Sequence, residues 1–118
     1  MWGLGKHQRY WLYEGTTDMR RGFDGLSGLV GRELGHQNVL SGDAFVFLNR
    51  RCTQMKILVW EGGGFLIYHK RLERGTFERG GSKIDGSLRW DELVLMVEGV
   101  VMSGLKRRKR FELGVEKR

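Results

Sequence analysis

Proline is absent from this sequence, and cysteine occurs once, as Cys52. Internal repeats and low-complexity stretches are missing too, so nothing marks a linker and the 118 residues read as one unit with a single core. A lone cysteine cannot close an internal disulfide, which fits a reducing compartment, and a cytoplasmic location is expected. No apolar run approaches the roughly 18–20 residues that span a bilayer, so no membrane partner is expected. The opening Met1-Trp2-Gly3-Leu4-Gly5-Lys6 lacks an apolar signal core and a cleavage pattern, and no secretory signal is read there.

Chemistry-bearing residues are equally sparse. His7, His36 and His69 show no ligand spacing, so no metal site and no cofactor are expected. Cys52 stands alone and reads as a loop cysteine rather than a nucleophile. Asp18, Asp24, Asp43 and Glu61 have the composition of a two-metal carboxylate cluster, but Asp18 suits a helix cap, Asp24 falls on a helix and Glu61 starts a turn. The glycine-rich Glu61-Gly62-Gly63-Gly64 joins two strands and opens no helix, which excludes a phosphate loop. No catalytic residue is assigned, and the chain is not expected to be an enzyme.

What is present is a run of strand-forming sequence over residues 43–74. Asp43–Leu48, Gln54–Trp60 and Phe65–Arg71 are rich in β-branched and aromatic residues, and turn residues separate them. If Gly62 and Gly63 form the second turn, Trp60 pairs with Phe65, Leu58 with Ile67 and Lys56 with His69. Val59 and Leu66, and Ile57 and Tyr68, then meet on the opposite face. Both faces are apolar near the glycines and basic at the far end, so the sheet needs cover on both sides, or on one side plus a partner.

Around this lie a first strand at about 8–14 and a helix at about 19–34. Thr17 or Asp18 suits the N-cap, and Met19, Phe23, Leu26, Leu29, Val30 and Leu34 form an apolar stripe. Gly22, Gly25, Gly28 and Gly31 recur inside that helix, each costing about 1 kcal/mol relative to Ala, in a pattern that would let the backbone approach the sheet. Leu72–Arg79 can extend the third strand of the run through a bend at Gly75, with Phe77 returning to the core. A second helix is expected at about 90–102, with Leu93, Met96, Val97, Val100 and Val101 on its apolar side and Asp91 and Glu92 favouring its N-terminal dipole. The fold class is α+β: one domain over 1–102, an antiparallel meander (strands about 8–14, 43–48, 54–60 and 65–72) packed with two helices, and a basic tail over 103–118.

The net charge of +7 is unevenly placed. Residues 103–118 hold seven Lys or Arg against two Glu, and within the body residues 49–74 hold six basic groups against two acidic ones. Arg50 and Arg51 occupy one hairpin tip, with Lys56, Lys70, Arg71 and Arg74 toward the same end of the sheet. With Lys106, Arg107, Arg108, Lys109 and Arg110 of the tail, they form the candidate nucleic-acid contacts, because basic strand ends can track phosphates. Trp60, Phe65 and Ile67 form a candidate apolar face for a protein partner.

Several stretches together resemble a known family: Gly15–Val30 (GTTDMRRGFDGLSGLV), Phe45–Arg51 (FVFLNRR), Lys56–Phe65 (KILVWEGGGF) and Lys70–Phe77 (KRLERGTF), with Leu93–Gly99 and Lys106–Phe111 fitting its C-terminal pattern. The chain is similar to the small accessory protein (TnpB, the second open reading frame) of insertion sequences of the IS-sixty-six type, which is not the RNA-guided nuclease of the same name. Departures from the pattern are mild, among them Arg89 where the last helix would carry a Ser or Thr cap. The resemblance implies a non-catalytic role in transposition beside a separate transposase, and supplies no catalytic residues. The expected partners are DNA, the transposase and other proteins of the same element, with a homodimer also allowed. The alternatives are a protein–protein adaptor without DNA contact and, more remotely, a metal-dependent nuclease.

Overall fold

Residues 4–34, 38–79, 83 and 85–99 are described by the computed structural model. Along them run β1 (Tyr10–Thr16), α1 (Phe23–Glu33), β2 (Ala44–Leu48), β3 (Gln54–Glu61), β4 (Gly64–Arg71), β5 (Ser87–Leu88) and α2 (Trp90–Glu98). The strands make one sheet in the order β4-β3-β2-β1-β5. The α+β class expected from the sequence is the one observed. Among these residues no helix is long and apolar enough to cross a membrane.

The β3–β4 hairpin has the expected register: Trp60 opposes Phe65, Val59 opposes Leu66, Leu58 opposes Ile67, Ile57 opposes Tyr68 and Lys56 opposes His69. Gly62 and Gly63 form its turn with φ of 62° and 84°. Two successive positive φ values match the twist of the flanking strands, and glycine adopts them without steric penalty. At the β2–β3 tip, Cys52 is the one non-glycine residue among those described with positive φ, at 57°. The Asn49 side chain holds that tip by accepting from the amides of Thr53 and Gln54, both at 2.9 Å, and donating to the Thr53 hydroxyl.

β1 departs from the expected antiparallel pattern by lying parallel to β2, with Tyr10, Trp11 and Leu12 opposite Ala44, Phe45 and Val46. The connection through α1 explains this. A helical crossover returns the chain to the same end of the sheet, whereas an antiparallel neighbour needs only a turn. β5 was not expected at all. It pairs antiparallel with Tyr10 and Trp11, and two residues are too few to show a period.

The helices cover opposite faces. Leu26, Leu29 and Val30 of α1, with Leu34 at its C-cap, pack on Trp11, Phe45, Phe47 and Leu58. Leu93 and Met96 of α2 pack on the other face with Tyr10, Leu12, Val46, Met55, Ile57 and Val59. Phe77 joins them, buried, with its amide bonded to the Cys52 carbonyl at 2.7 Å. β2 is buried along its whole length, as its unbroken Ala44–Leu48 apolar run requires. Burial of Tyr10, whose hydroxyl donates to the Gly5 carbonyl at 2.8 Å, pushes its phenol up to about 12.

Both helices are shorter than expected. α1 starts at Phe23 after Gly22, which supplies no side-chain cap, so neither Thr17 nor Asp18 caps it. Met19 therefore precedes the helix, and Phe23 is 50% exposed rather than part of the buried stripe. The α1 glycines do not bring the backbone against the sheet: a Cβ at Gly22 or Gly31 would meet nothing within 4 Å, and at Gly25 or Gly28 only an arginine side chain. α2 ends where Gly99 turns left-handed (φ 84°, ψ 24°) and its amide bonds back to Leu95 and Met96. Val100, Val101 and the tail lie outside the described residues. At the start of α2, Glu92 accepts from the Arg89 amide at 2.8 Å. Arg89 has no acceptor to return, and Asp91 takes the Glu92 amide instead.

Candidate nucleic-acid interface

Residues 17–22 connect β1 to α1 and lie across one end of the sheet. Thr17 enters by donating its amide to Leu48 O at 2.9 Å. Asp18 then folds the chain by accepting from the Arg20 amide at 2.9 Å and from the Arg20 guanidinium at 2.7–3.1 Å. The Arg20 hydrogen bonds hold the Asp18 carboxyl down at about 2. This local competition takes from Asp18 the oxygen that a helix cap would have needed.

Lys56 fixes the connection from beneath. It sits on the α1 side of β3 between the positions of Phe47 and His69, is only 8% exposed, and its Nζ donates to the carbonyls of Met19 and Arg21, both at 2.7 Å. A buried ammonium needs acceptors, and two loop carbonyls need donors; each supplies the other. Beside it, His69 Nε2 meets Gln54 Oε1 at 2.8 Å. Desolvation, then the nearby Lys56 and Arg71 charges, push the His69 pKa down, which favours the neutral ring.

Between the connection and the β2–β3 tip opens a cleft of about 600 Å³. Thr17, Asp18, Met19 and Arg20 form one wall, and Asn49, Arg50, Arg51 and Gln54 the other. Arg20, Arg21, Arg50 and Arg51 are all exposed. Two stretches about 30 residues apart thus place their arginines at one end of the sheet.

Of the sequence-derived candidates, Arg50 and Arg51 line this cleft. Arg71 opposes Gln54 beside it and is ion-paired to Glu73 at 3.0 Å. Lys70 opposes Met55 and so projects from the other face, and Arg74 is exposed in the bend after β4. Lys56 is committed to the backbone and serves as scaffold. Lys106, Arg107, Arg108, Lys109 and Arg110 lie outside the described residues. Arg20, Thr17 and Gln54 of the cleft are not among the sequence-derived candidates; the signal available is the Arg20-Arg21 pair beside the cap candidates Thr17 and Asp18, and of that pair Arg21 turns back to donate to the Gly25 carbonyl at 3.4 Å.

The apolar candidates are half-buried. Trp60 and Phe65 stack edge to face at 5.0 Å, and Phe65 and Ile67 pack against the cluster under α1. The exposed large apolar residues among those described are instead Phe23, Leu40 and Leu66. The four carboxylates are dispersed. Asp18 is held by Arg20, Asp24 is in the first turn of α1, and Glu61 closes β3. Asp43 is buried, accepting from Trp11 Nε1 at 2.9 Å and Arg9 Nε at 3.2 Å. Among the described residues no group of three His, Cys, Asp or Glu could hold a metal ion.

Comparison with known proteins adds the family. Residues 8–107 match the family model described as IS66 Orf2 like protein. The uncharacterized protein y4jC of Sinorhizobium fredii (strain NBRC 101917 / NGR234) is 37% identical over 94 residues, 78% of this chain and 79% of that protein. The uncharacterized protein y4hO of the same strain is 40% identical over 73 residues, 62% of this chain and 63% of its own length. No solved structure matches. The 100 matched residues take in β1 through α2, every element of the sheet and both helices, and the chain belongs to the IS66 Orf2-like family.

Proposed function

We propose that this protein is a non-catalytic accessory factor of insertion-sequence transposition that binds nucleic acid through the basic end of its sheet. Family membership supports the accessory role. The observation that carries the binding reading is the convergence of Arg20, Arg50 and Arg51 around one open cleft, with Arg71 alongside. Guanidinium groups suit phosphate oxygens because their planar forks bind two at once. The basic tail adds sequence-independent attraction to the same polyanion, and the cytoplasm is where DNA and a separate transposase would be met.

The test is fluorescence anisotropy with a labelled duplex between 50 and 300 mM salt. Each phosphate contact adds about 0.9 to the slope of log affinity against log salt, so the three cleft arginines give a slope of about −2.7 before any contribution from Arg71 or the tail. The double variant Arg50→Ala/Arg51→Ala should flatten that slope by about 1.8. Binding that ignores salt, or a double variant with the original slope, removes the sheet end from the interface. Transposase capture that persists in a protein unable to bind DNA would support the adaptor role instead.

A further inference from the structure

We propose that the cleft between residues 17–20 and the β2–β3 tip takes one unpaired nucleotide of a nucleic-acid strand. This rests on the nucleic-acid reading above and adds what the site selects. A volume of about 600 Å³ falls within the roughly 300–1,000 Å³ of small-ligand pockets and far exceeds what a phosphate fills.

Its walls are chemically divided. The rim carries the Arg20, Arg50 and Arg51 guanidinium groups. Met19, half-buried against the cluster under α1, supplies an apolar side. Deeper in, Thr17 is 4% exposed and its hydroxyl has no hydrogen-bond partner, an unmet group that native structures rarely leave without a purpose. Gln54 commits Oε1 to His69, which leaves its amide nitrogen to donate. Asn49 spends its oxygen on the Thr53 and Gln54 amides and one of its two N–H groups on the Thr53 hydroxyl, so it serves chiefly to hold the wall.

A phosphate track alone would use the rim and leave the rest idle. A base presents an apolar ring face and in-plane donors and acceptors, which match Met19, Thr17 and Gln54. Within a duplex the faces are stacked and the Watson–Crick edges paired, leaving only groove edges, so only an unpaired nucleotide can offer a face and an in-plane edge to one cleft. Arg20 is clasped by Asp18 in the open cleft, and both side chains are solvent-exposed, so the guanidinium is placed to exchange carboxylate for phosphate.

The experiment compares full-length protein binding to a labelled single strand and to the same sequence as a duplex, at matched salt. The single strand should bind about tenfold tighter, the difference of one or two hydrogen bonds. Thr17→Val keeps shape and the amide bond to Leu48, and should lower single-strand affinity several-fold with the salt slope held, because no cation is lost. Gln54→Met, on a partly exposed strand end, should do the same and stands in if Thr17→Val fails to fold. Arg50→Ala/Arg51→Ala should instead flatten the slope for both ligands. Equal affinities for strand and duplex, or two polar variants without effect, overturn the cleft assignment while salt-dependent duplex binding stands. A free deoxynucleoside monophosphate that displaces the strand at equal concentration overturns the strand as the source. Binding to neither nucleic acid overturns both readings.

Discussion

Lys56→Met removes the ammonium that clasps the β1–α1 connection while keeping most of the stem. Two hydrogen bonds of 2.7 Å from a charged donor are lost, each worth about 1.5–3 kcal/mol net. The Met19 and Arg21 carbonyls remain without that donor. Against this gross loss of about 3–6 kcal/mol stands the relief of no longer desolvating an ammonium that is only 8% exposed. The net cost should be about 2–4 kcal/mol, or a fall in Tm of roughly 6–20 °C for a domain of this size. Urea denaturation followed by tryptophan fluorescence measures it directly. Amide exchange should show the loss concentrated in residues 17–22, because the rest of β3 keeps its ladder. Lys56 is also one cause of the lowered His69 pKa, so the variant should raise that pKa in an NMR titration. A loss under about 0.5 kcal/mol with unchanged exchange in residues 17–22 would refute the clasp.

Three further outcomes follow from other parts of the fold. Trp11→Phe strips the indole donor from the buried Asp43 carboxylate and should cost about 2–4 kcal/mol by thermal denaturation, part of it restored by adding Asp43→Asn. His69 titrates below its ordinary value in the folded chain, so the stability tied to its neutral ring is whole above about pH 6.5 and is lost as pH falls through the folded pKa; denaturation midpoints that stay flat there would contradict it. Gly31→Ala, where a Cβ meets open space, should stabilise by about 0.5–1 kcal/mol, whereas Gly63→Val at φ 84° should destabilise by about 1–3 kcal/mol; the two midpoints moving alike would count against this assignment of the glycines.

The meander was legible because its determinants are local. Two glycines at Gly62-Gly63 set the turn, the turn sets the register, and alternation then places every side chain of β3 and β4. The start of α1 was misread for an equally local reason: Asp18 has the chemistry of a cap, but Arg20, two residues on, offers its carboxylate a closer set of donors. Lys56 looked like a strand-end cation, yet its neighbours across the sheet are Phe47 and His69 under the β1–α1 connection, which only the crossover brings there. The cleft was illegible in the same way. Arg20 and Arg50 meet because β1 runs parallel to β2, and no short-range pattern encodes that pairing.

The strand order also sets a timetable. β2, β3 and β4 are joined by short turns and can pair as soon as they exist, whereas β1 needs the crossover and meets β5 more than 70 residues later. At about 5–20 residues per second, a nascent chain would carry the outer edge of Tyr10–Leu12 unpaired for roughly 4–15 s. That edge is apolar and able to recruit another strand, so the interval is one of exposure to misassociation. Pulse-labelled exchange during refolding should protect the β3–β4 amides before that of Leu12, whose hydrogen bond to Gly86 awaits the last part of the sheet to arrive.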